Sequence, residues 1–155
     1  MKKNQRINNT ILCVHGGIPE NSSILKEIKG IKTENLNSIT ESIGQDLFQL
    51  IWNDPNEELK GFTNSFRGPG IKVFGEDVFN HFMEVNHLQY LIRAHECFPE
   101  GYKWFFKKRL LSIFSSANYR GSYFPNPASY AIIKENQVFP QLIYSKKNIH
   151  FNNSY

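Results

Sequence analysis

The hydrophobic positions of this 155-residue chain form short runs that are separated by polar breaks. Residues 10–14, TILCV, are apolar after the first position and predict a buried strand that ends at His15. Residues 89–93 predict a second strand, which is followed by His95. Loops at the ends of strands are where α/β folds place their ligands. The two histidines are therefore the first candidates for chemistry.

Helical spacing predicts three helices, over residues 24–28, 47–52 and 75–88. Glu76 and Asp77 lie in the first turn of the third helix, where acidic side chains suit the helix dipole. The polar residues 31–44 predict a surface connection. Residues 53–56 have turn chemistry, and residues 57–74 predict a long loop without regular structure.

The last third of the chain is predicted to be nearly all strand. Residues 102–106 and 110–114 predict one hairpin, and residues 128–134 and 138–144 predict another. The segment between the two hairpins is rich in Ser, Asn, Gly and Pro and predicts a loop. We expect one domain over residues 1–145, followed by a polar tail over residues 146–155.

Composition adds limits on the class of protein. The chain is 40% hydrophobic and 14% aromatic, which favours a globular fold over disorder. A net charge of +4 is compatible with an anionic substrate and too weak to indicate nucleic acid. No apolar run approaches the ~20 residues that span a bilayer. Two cysteines without paired-ligand spacing favour a reducing compartment. We therefore expect a cytoplasmic protein without nucleic-acid or membrane partners.

His15, in the sequence HGG, has the residue type that most often supplies nitrogen ligands to Zn, Mn or Fe. The two glycines after it would let the backbone pass close to a bound ion or phosphate. The alternative is a structural histidine that bonds a carbonyl, which is the commoner case for a lone histidine at a strand end. The spacing between His15 and His95 does not show whether they are close together.

Two further residues have possible roles in binding phosphate. Arg67, in FRGPG, sits in a rigid turn that would hold its guanidinium still for bidentate binding. Tyr119 could donate a hydroxyl hydrogen bond to a phosphate oxygen. The alternatives are an ordinary surface arginine and a half-buried loop tyrosine. The basic residues 107–109 beside aromatic rings could indicate an RNA-binding patch, but they more simply form the tip of a hairpin.

Six motifs occur in an order that identifies a family: VHGGIPE, LIWNDP, FRGPG, VFGEDVFNHFMEVNHLQYLIRAHE, GYKWFF and LLSIFSSANYRG. Together they closely resemble the C-terminal half of PPP-type serine/threonine protein phosphatases, which are calcineurin-like metallophosphoesterases. The resemblance runs from about Ile11 to about Ile143. It implies an α/β fold, a metallophosphoesterase-type β-sandwich with flanking helices, of which this chain would form the C-terminal portion. It also implies a two-metal active site at the strand ends.

The resemblance assigns a role to each matching residue. His15 and His95 would be ligands of one of two divalent metal ions, which are Mn, Fe or Zn in such sites. Arg67 and Tyr119 would contact the substrate phosphate, and the supporting residues would be Asp54, Arg93 and Asn118. The implied reaction is hydrolysis of a phosphoric monoester by water that two metal ions activate.

The motifs of the family's first half, DxH, GDxVDRG and GNHE, do not occur in this sequence. In the family they supply the carboxylate and asparagine metal ligands and the acid histidine, so we expect no catalytic acid in this chain. The expected partners are a phosphoprotein substrate and either a missing N-terminal half or a regulatory subunit. Arg120 stands where many members have cysteine, and residues 122–125 replace an acidic stretch.

Three interpretations follow from the sequence. The first is an incomplete serine/threonine phosphatase that is inactive and marginally stable when isolated. The second is a non-catalytic remnant that binds a phosphoprotein or a partner chain. The third is a small basic RNA-binding domain, which should show a steep salt dependence.

Overall fold

Nine strands and three helices follow one another in the part of the chain that the computed structural model describes, residues 10–31, 40–121 and 123–144. They are β1 (Ile11–Cys13), α1 (Ile24–Lys29), α2 (Glu41–Trp52), β2 (Asp54–Pro55), β3 (Phe62–Asn64), β4 (Lys72–Phe74), α3 (Glu76–Val85), β5 (Tyr90–Arg93), β6 (Tyr102–Phe105), β7 (Leu110–Ile113), β8 (Ala128–Lys134) and β9 (Gln137–Ile143). None of these helices has the length and apolar character that crossing a bilayer requires.

A four-stranded mixed sheet, in the order β1-β5-β7-β6, forms the centre of the fold. Strands β1, β5 and β7 are parallel, and β6 returns antiparallel to β7 as the predicted hairpin. Cys13 pairs with Ile92, so β1 and β5 end side by side. The predicted strands at residues 10–14 and 89–93 are confirmed, and their carboxyl ends meet at one edge of the sheet.

A second sheet has three strands, in the order β2-β4-β3. β2 pairs in parallel with β4, and β3 pairs with β4 in the antiparallel sense. The prediction of a turn at residues 53–56 and of an irregular loop over residues 57–74 is therefore wrong at β2, β3 and β4. Strands of two or three residues are too short to show an alternating pattern, and β2 contains a proline.

Two helix boundaries differ from the prediction. α2 begins at Glu41 within the predicted polar connection, and the Thr40 hydroxyl caps it by accepting the Ile43 N–H. Residues 32–39 of that connection, and the predicted tail, lie outside the described residues. α3 ends at Val85, before residue 88, because the Asn86 side chain donates to the carbonyl of Phe82 and to that of Ser22.

The main core lies between the four-stranded sheet and the helices. Its rings are packed around Phe106, with ring centroids 4.8 Å from Phe79 and 6.0 Å from Phe74. On the sheet's other face, Leu111 and Ile92 pack with Val138 of β9. The hairpin β8–β9 thus covers that face, and the predicted mixed α/β architecture is confirmed.

The hairpin β8–β9 also presents apolar side chains to solvent. Six of them are between 42% and 59% exposed: Tyr130, Ile132, Ile133, Phe139, Ile143 and Tyr144. Soluble monomers rarely gather this many exposed large apolar residues on one element. We call this set the hairpin patch.

Candidate functional site

His15 and His95 face each other, although 80 positions separate them in the sequence. Nε2 of His15 lies 3.1 Å from Nδ1 of His95, and the ring centroids are 5.0 Å apart. The parallel pairing of β1 with β5 creates this proximity, and it continues past the strands because the Ala94 N–H donates to the His15 carbonyl. His95 has a φ of +73°, a conformation that turns the chain directly after the strand.

The surroundings of His95 keep its imidazole neutral. The Trp52 ring packs edge-on against it, with centroids 5.1 Å apart. Burial is the main reason that the pKa of His95 is lowered to about 4; the Asp54 carboxylate acts in the opposite direction, and the charges of Arg93 and Arg67 add to the lowering. At neutral pH one ring nitrogen therefore carries a lone pair. Nε2 of His95 is buried without a hydrogen-bond partner among the described residues.

The two glycines after His15 are required by the packing of the loop. A Cβ on Gly16 would lie 2.4 Å from the carbonyl carbon of Ile51, and one on Gly17 would lie 2.3 Å from the ring of Phe74. The Gly16 N–H also donates to a carbonyl near the end of α2. The glycines let the loop lie against α2, and this contact brings Trp52 to His95.

Asp54, at the start of β2, joins two arginines. One carboxylate oxygen, Oδ2, accepts from Nε of Arg67 at 2.6 Å, and the other, Oδ1, accepts from Nη2 of Arg93 at 2.7 Å. The Asp54 side chain is only 10% exposed. Both oxygens are held by guanidinium groups, so Asp54 fixes the side chain of Arg67, whose charge acts on His95.

All five N–H groups of Arg93 have acceptors, and the side chain is fully buried. Apart from Asp54, the acceptors are the carbonyls of Gly16 and Asn53, the carboxylate of Glu96 and the hydroxyl of Ser112. The last contact is long, at 3.5 Å. One guanidinium therefore joins the HGG loop, the start of β2, the end of β5 and β7.

Glu96 is the other acid beside Arg93. Burial raises the pKa of Glu96, and the Asp54 carboxylate raises it further, while Arg93 acts in the opposite direction. Its bond to Nη1 of Arg93 is 2.7 Å long, so the guanidinium lies between two carboxylates. This arrangement neutralises the buried cation.

Arg67 and Tyr119, the residues predicted to contact phosphate, are placed differently. The Arg67 side chain is 30% exposed, and only its Nε is bonded, so its terminal nitrogens have no partner among the described residues. Tyr119 is 65% exposed, with its ring against Phe114. Asn118 precedes it with a φ of +54°. No hydrogen bond or ring contact joins Tyr119 to the histidines within residues 10–31, 40–121 and 123–144.

Comparison with known proteins decides the family. A model of the calcineurin-like phosphoesterases matches residues 2–99, more than half of the chain. The chain belongs to the calcineurin-like phosphoesterase family. The family that the sequence motifs predict is therefore confirmed, and divalent metal ions are the cofactors of this family.

The relatives within the family are serine/threonine phosphatases. The chain is 34% identical over 141 residues to serine/threonine-protein phosphatase BSL2 of Arabidopsis thaliana, covering 89% of this chain and 14% of the relative. It is 33% identical over 150 residues to serine/threonine-protein phosphatase rdgC of Drosophila melanogaster, covering 88% and 22%. The chain thus spans less than a quarter of the length of either relative.

A solved structure supports the fold of this family member. It is a protein serine/threonine phosphatase from Saccharomyces cerevisiae with similarity to human phosphatase PP5. The TM-score is 0.69 at 25% identity, and the match covers 89% of this chain and 45% of the yeast chain.

The spacing of the histidine pair fits two nitrogen ligands of one metal ion. Two nitrogens that each bind the same zinc ion at about 2.0–2.1 Å lie about 2.9 Å apart when the N–Zn–N angle is a right angle. They lie about 3.3 Å apart when that angle is tetrahedral. The observed 3.1 Å falls between these values. However, no group of three or more His, Cys, Asp or Glu residues that could hold a metal occurs in the described part of the chain. The fit therefore extends to two nitrogen ligands.

Sequence reasoning missed two residues of the site. Trp52, directly before the NDP motif, packs on His95, and Glu96 bonds Arg93. The three-residue spacing of Arg93 and Glu96 was an available signal, because an acid beside a buried arginine is its natural counter-ion. No sequence pattern predicted the position of Trp52, which depends on the packing of α2 against the HGG loop.

Proposed function

We propose that this chain forms part of the catalytic domain of a serine/threonine protein phosphatase. In this proposal His15 and His95 supply two nitrogen ligands to one divalent metal ion, and Arg67 binds the substrate phosphate. The observation that carries the proposal is the histidine pair at 3.1 Å, together with Arg67, which Asp54 holds and whose charge acts on His95. A bound divalent ion would polarise a phosphoryl oxygen and lower the pKa of water for attack on phosphorus.

The chain's own residues contribute binding and orientation. Asp54 accepts the hydrogen bond from Nε of Arg67. The two terminal nitrogens of Arg67 are then left to bind a phosphate as a fork. Neutral His95 keeps a lone pair available, since burial opposes its protonation. Tyr119 would add a hydroxyl from a solvent-exposed position. The remaining metal ligands and the acid that protonates the leaving oxygen would come from outside the described residues.

Metal binding tests the ligand assignment without requiring turnover. Calorimetric titration of the chain with Zn²⁺ should give a measurable affinity, which His15→Ala and His95→Ala should each weaken by about tenfold or more. His81→Ala is the matched control, because His81 is exposed on α3. Equal affinities for all four proteins would overturn the assignment.

A chimaera tests the reaction itself. Residues 11–143 would replace the matching segment of the yeast phosphatase, and hydrolysis of p-nitrophenyl phosphate would be measured with Mn²⁺. We expect turnover that His95→Ala abolishes and His81→Ala preserves. A folded chimaera that binds metal and shows no turnover would contradict the proposal.

A second candidate function is phosphoprotein binding without catalysis. The observation that favours it is Arg67, whose terminal nitrogens have no partner among the described residues and could bind a phosphate without a metal ion. It predicts that the isolated chain binds a phosphoserine peptide in EDTA and releases no phosphate. Arg67→Met should remove that binding, while Lys134→Met, at an exposed cation of β8, should retain it.

A further inference from the structure

A cavity of about 280 Å³ lies between the segment that follows β5 and the loop that follows β7. Its apolar walls are formed by Pro99, Tyr123, Phe124 and Pro125. Cys97 and Arg120 add a thiol and a guanidinium to the lining. None of these residues has a role in the proposed metal or phosphate site, although two of them are close to it along the chain.

Two lining residues of the cavity are close along the chain to residues of the candidate site. Cys97 is two residues beyond His95, and Arg120 directly follows Tyr119. Consecutive Cα atoms are about 3.8 Å apart, so Cys97 lies within about 8 Å of His95 along the chain. A peptide bound with its phosphorylated residue at the histidine pair would therefore have neighbouring residues within reach of Cys97 and the cavity that it lines.

The loop that carries Tyr123 and Phe124 is held by a buried asparagine. Asn126 is 1% exposed, and its amide donates to the carbonyls of Ser116 and Pro127. Its Oδ1 accepts the Tyr119 N–H. These bonds fix both ends of the turn, and prolines stiffen the walls. Holding the ends of the loop in place beforehand lowers the conformational entropy that ligand binding costs.

The chemistry of the lining selects one kind of ligand. Tyr123 is 92% exposed and Phe124 is 72% exposed, so their rings offer apolar surface at the opening. Arg120 has no ion pair or side-chain hydrogen bond within the described residues, and no acidic side chain lines the cavity there. Unpaired guanidinium beside apolar rings favours an apolar group next to a carboxylate.

We propose that this cavity binds an apolar side chain of a peptide that carries acidic residues next to it, with Arg120 pairing their carboxylates. The inference rests on the proposed function, since it makes the cavity a subsite for residues that flank the phosphorylated one. It assigns the preference for acidic phosphoprotein segments to Arg120, Tyr123 and Phe124.

The two cysteines of the chain provide the test. Cys97 lines the cavity, whereas Cys13 is exposed on β1 and serves as an internal control. The rate of iodoacetamide alkylation at each thiol is measured by mass spectrometry on the full chain. Three unphosphorylated peptides are added in turn: one with phenylalanine followed by two glutamates, one with lysines replacing the glutamates, and one with alanine replacing the phenylalanine.

We expect the phenylalanine–glutamate peptide to slow alkylation of Cys97 by about fivefold and to leave Cys13 unchanged. The other two peptides should have little effect. Arg120→Glu should remove the protection and Arg120→Gln should reduce it, whereas Lys134→Glu, the same charge change on β8, should retain it. An unchanged Cys13 rate in each variant shows that the effect is confined to Cys97, and an unchanged circular dichroism spectrum shows that the fold is intact.

The inference is overturned if no peptide slows Cys97, if the lysine peptide protects as well as the glutamate peptide, or if Arg120→Gln protects fully. The measurement requires neither metal nor turnover. An inactive phosphatase chimaera together with selective protection of Cys97 would therefore separate failure of the proposed reaction from failure of the subsite.

Discussion

Arg93 and Asp54 form a buried ion pair in which Nη2 lies 2.7 Å from Oδ1. The Arg93 side chain is 0% exposed and that of Asp54 is 10% exposed. The remaining oxygen of Asp54 holds Arg67, so the same carboxylate links a fully buried cation to a partly exposed one. This link connects the packing of the fold to the residue proposed to meet the substrate.

Replacing Arg93 should destabilise the fold strongly. Arg93→Met leaves the carboxylates of Asp54 and Glu96 without their buried partner, and breaking such a pair costs about 3–5 kcal/mol. We expect the free energy of unfolding in urea to fall by that amount. Lys134→Met, at an exposed position, should change it by less than about 0.5 kcal/mol. If Arg93→Met lowered the free energy of unfolding no more than Lys134→Met does, the five hydrogen bonds of Arg93 would make no net contribution to stability.

Adding one methyl group to the HGG loop should have a larger effect than its size suggests. In Gly16→Ala the new Cβ would meet the Ile51 backbone at 2.4 Å, and backbone cannot rotate away as a side chain does. We expect a loss of about 1–3 kcal/mol in thermal or urea unfolding. Gly44→Ala is the control, because Gly44 lies in α2 with nothing within 4 Å of the added atom. It should stabilise the helix by up to about 1 kcal/mol.

Asp77 should make the stability of the chain depend on pH in the acid range. The Gly61 N–H donates to both carboxylate oxygens, and this bond lowers the pKa of Asp77 from its ordinary 3.8. In the acid range the native state thus binds fewer protons than the unfolded state. The contribution of Asp77 to folding stability is therefore complete above its ordinary pKa, and it is lost as the pH falls through the lowered pKa of the folded state. Below a pH of about 4, Asp77→Asn should make the free energy of unfolding in urea less dependent on pH. Glu84→Gln, at an exposed position on α3, should leave that dependence unchanged.

The hairpin patch should make the isolated chain prone to association. Ile133 is 53% exposed on β8, and Phe139 is 42% exposed on the paired strand β9. We expect Ile133→Lys to reduce light scattering on concentration and to shift size-exclusion elution toward the monomer, because a charge on an exposed strand opposes strand pairing. Val138→Lys, at a position that is 8% exposed, should instead unfold the chain. A wild-type chain that is monomeric at high concentration and melts reversibly would contradict this expectation.

The sequence predicted those strands and helices whose hydrophobic pattern is uninterrupted. The runs 10–14 and 89–93 are apolar throughout most of their length, and both are confirmed as β1 and β5. Strands β2, β3 and β4 were missed because two or three residues do not establish a period, and their pairing depends on contacts between distant segments. The early start of α2 was missed because its first turn is polar, and a helix there is stabilised by a cap and by packing.

The site shows the same difference between what neighbouring residues in the sequence predict and what depends on contacts between distant segments. His15 and His95 stood out because each follows a strand and matches a family motif, but their 3.1 Å contact requires the parallel pairing of β1 with β5. Periodicity gave no reason for Trp52 to contact His95. The role of the glycines also changed, because only the position of α2 shows what a Cβ would strike.

The five bonds of Arg93 have a consequence for how the site assembles. Four segments that are far apart in the sequence meet at a single guanidinium, so none of them can leave without removing a partner from a buried charge. Partial loosening around the histidines is therefore costly, and the intact arrangement is gained or lost together with the surrounding fold. Any ion that binds the histidine pair should raise the melting temperature of the whole domain, since binding and folding then share one equilibrium.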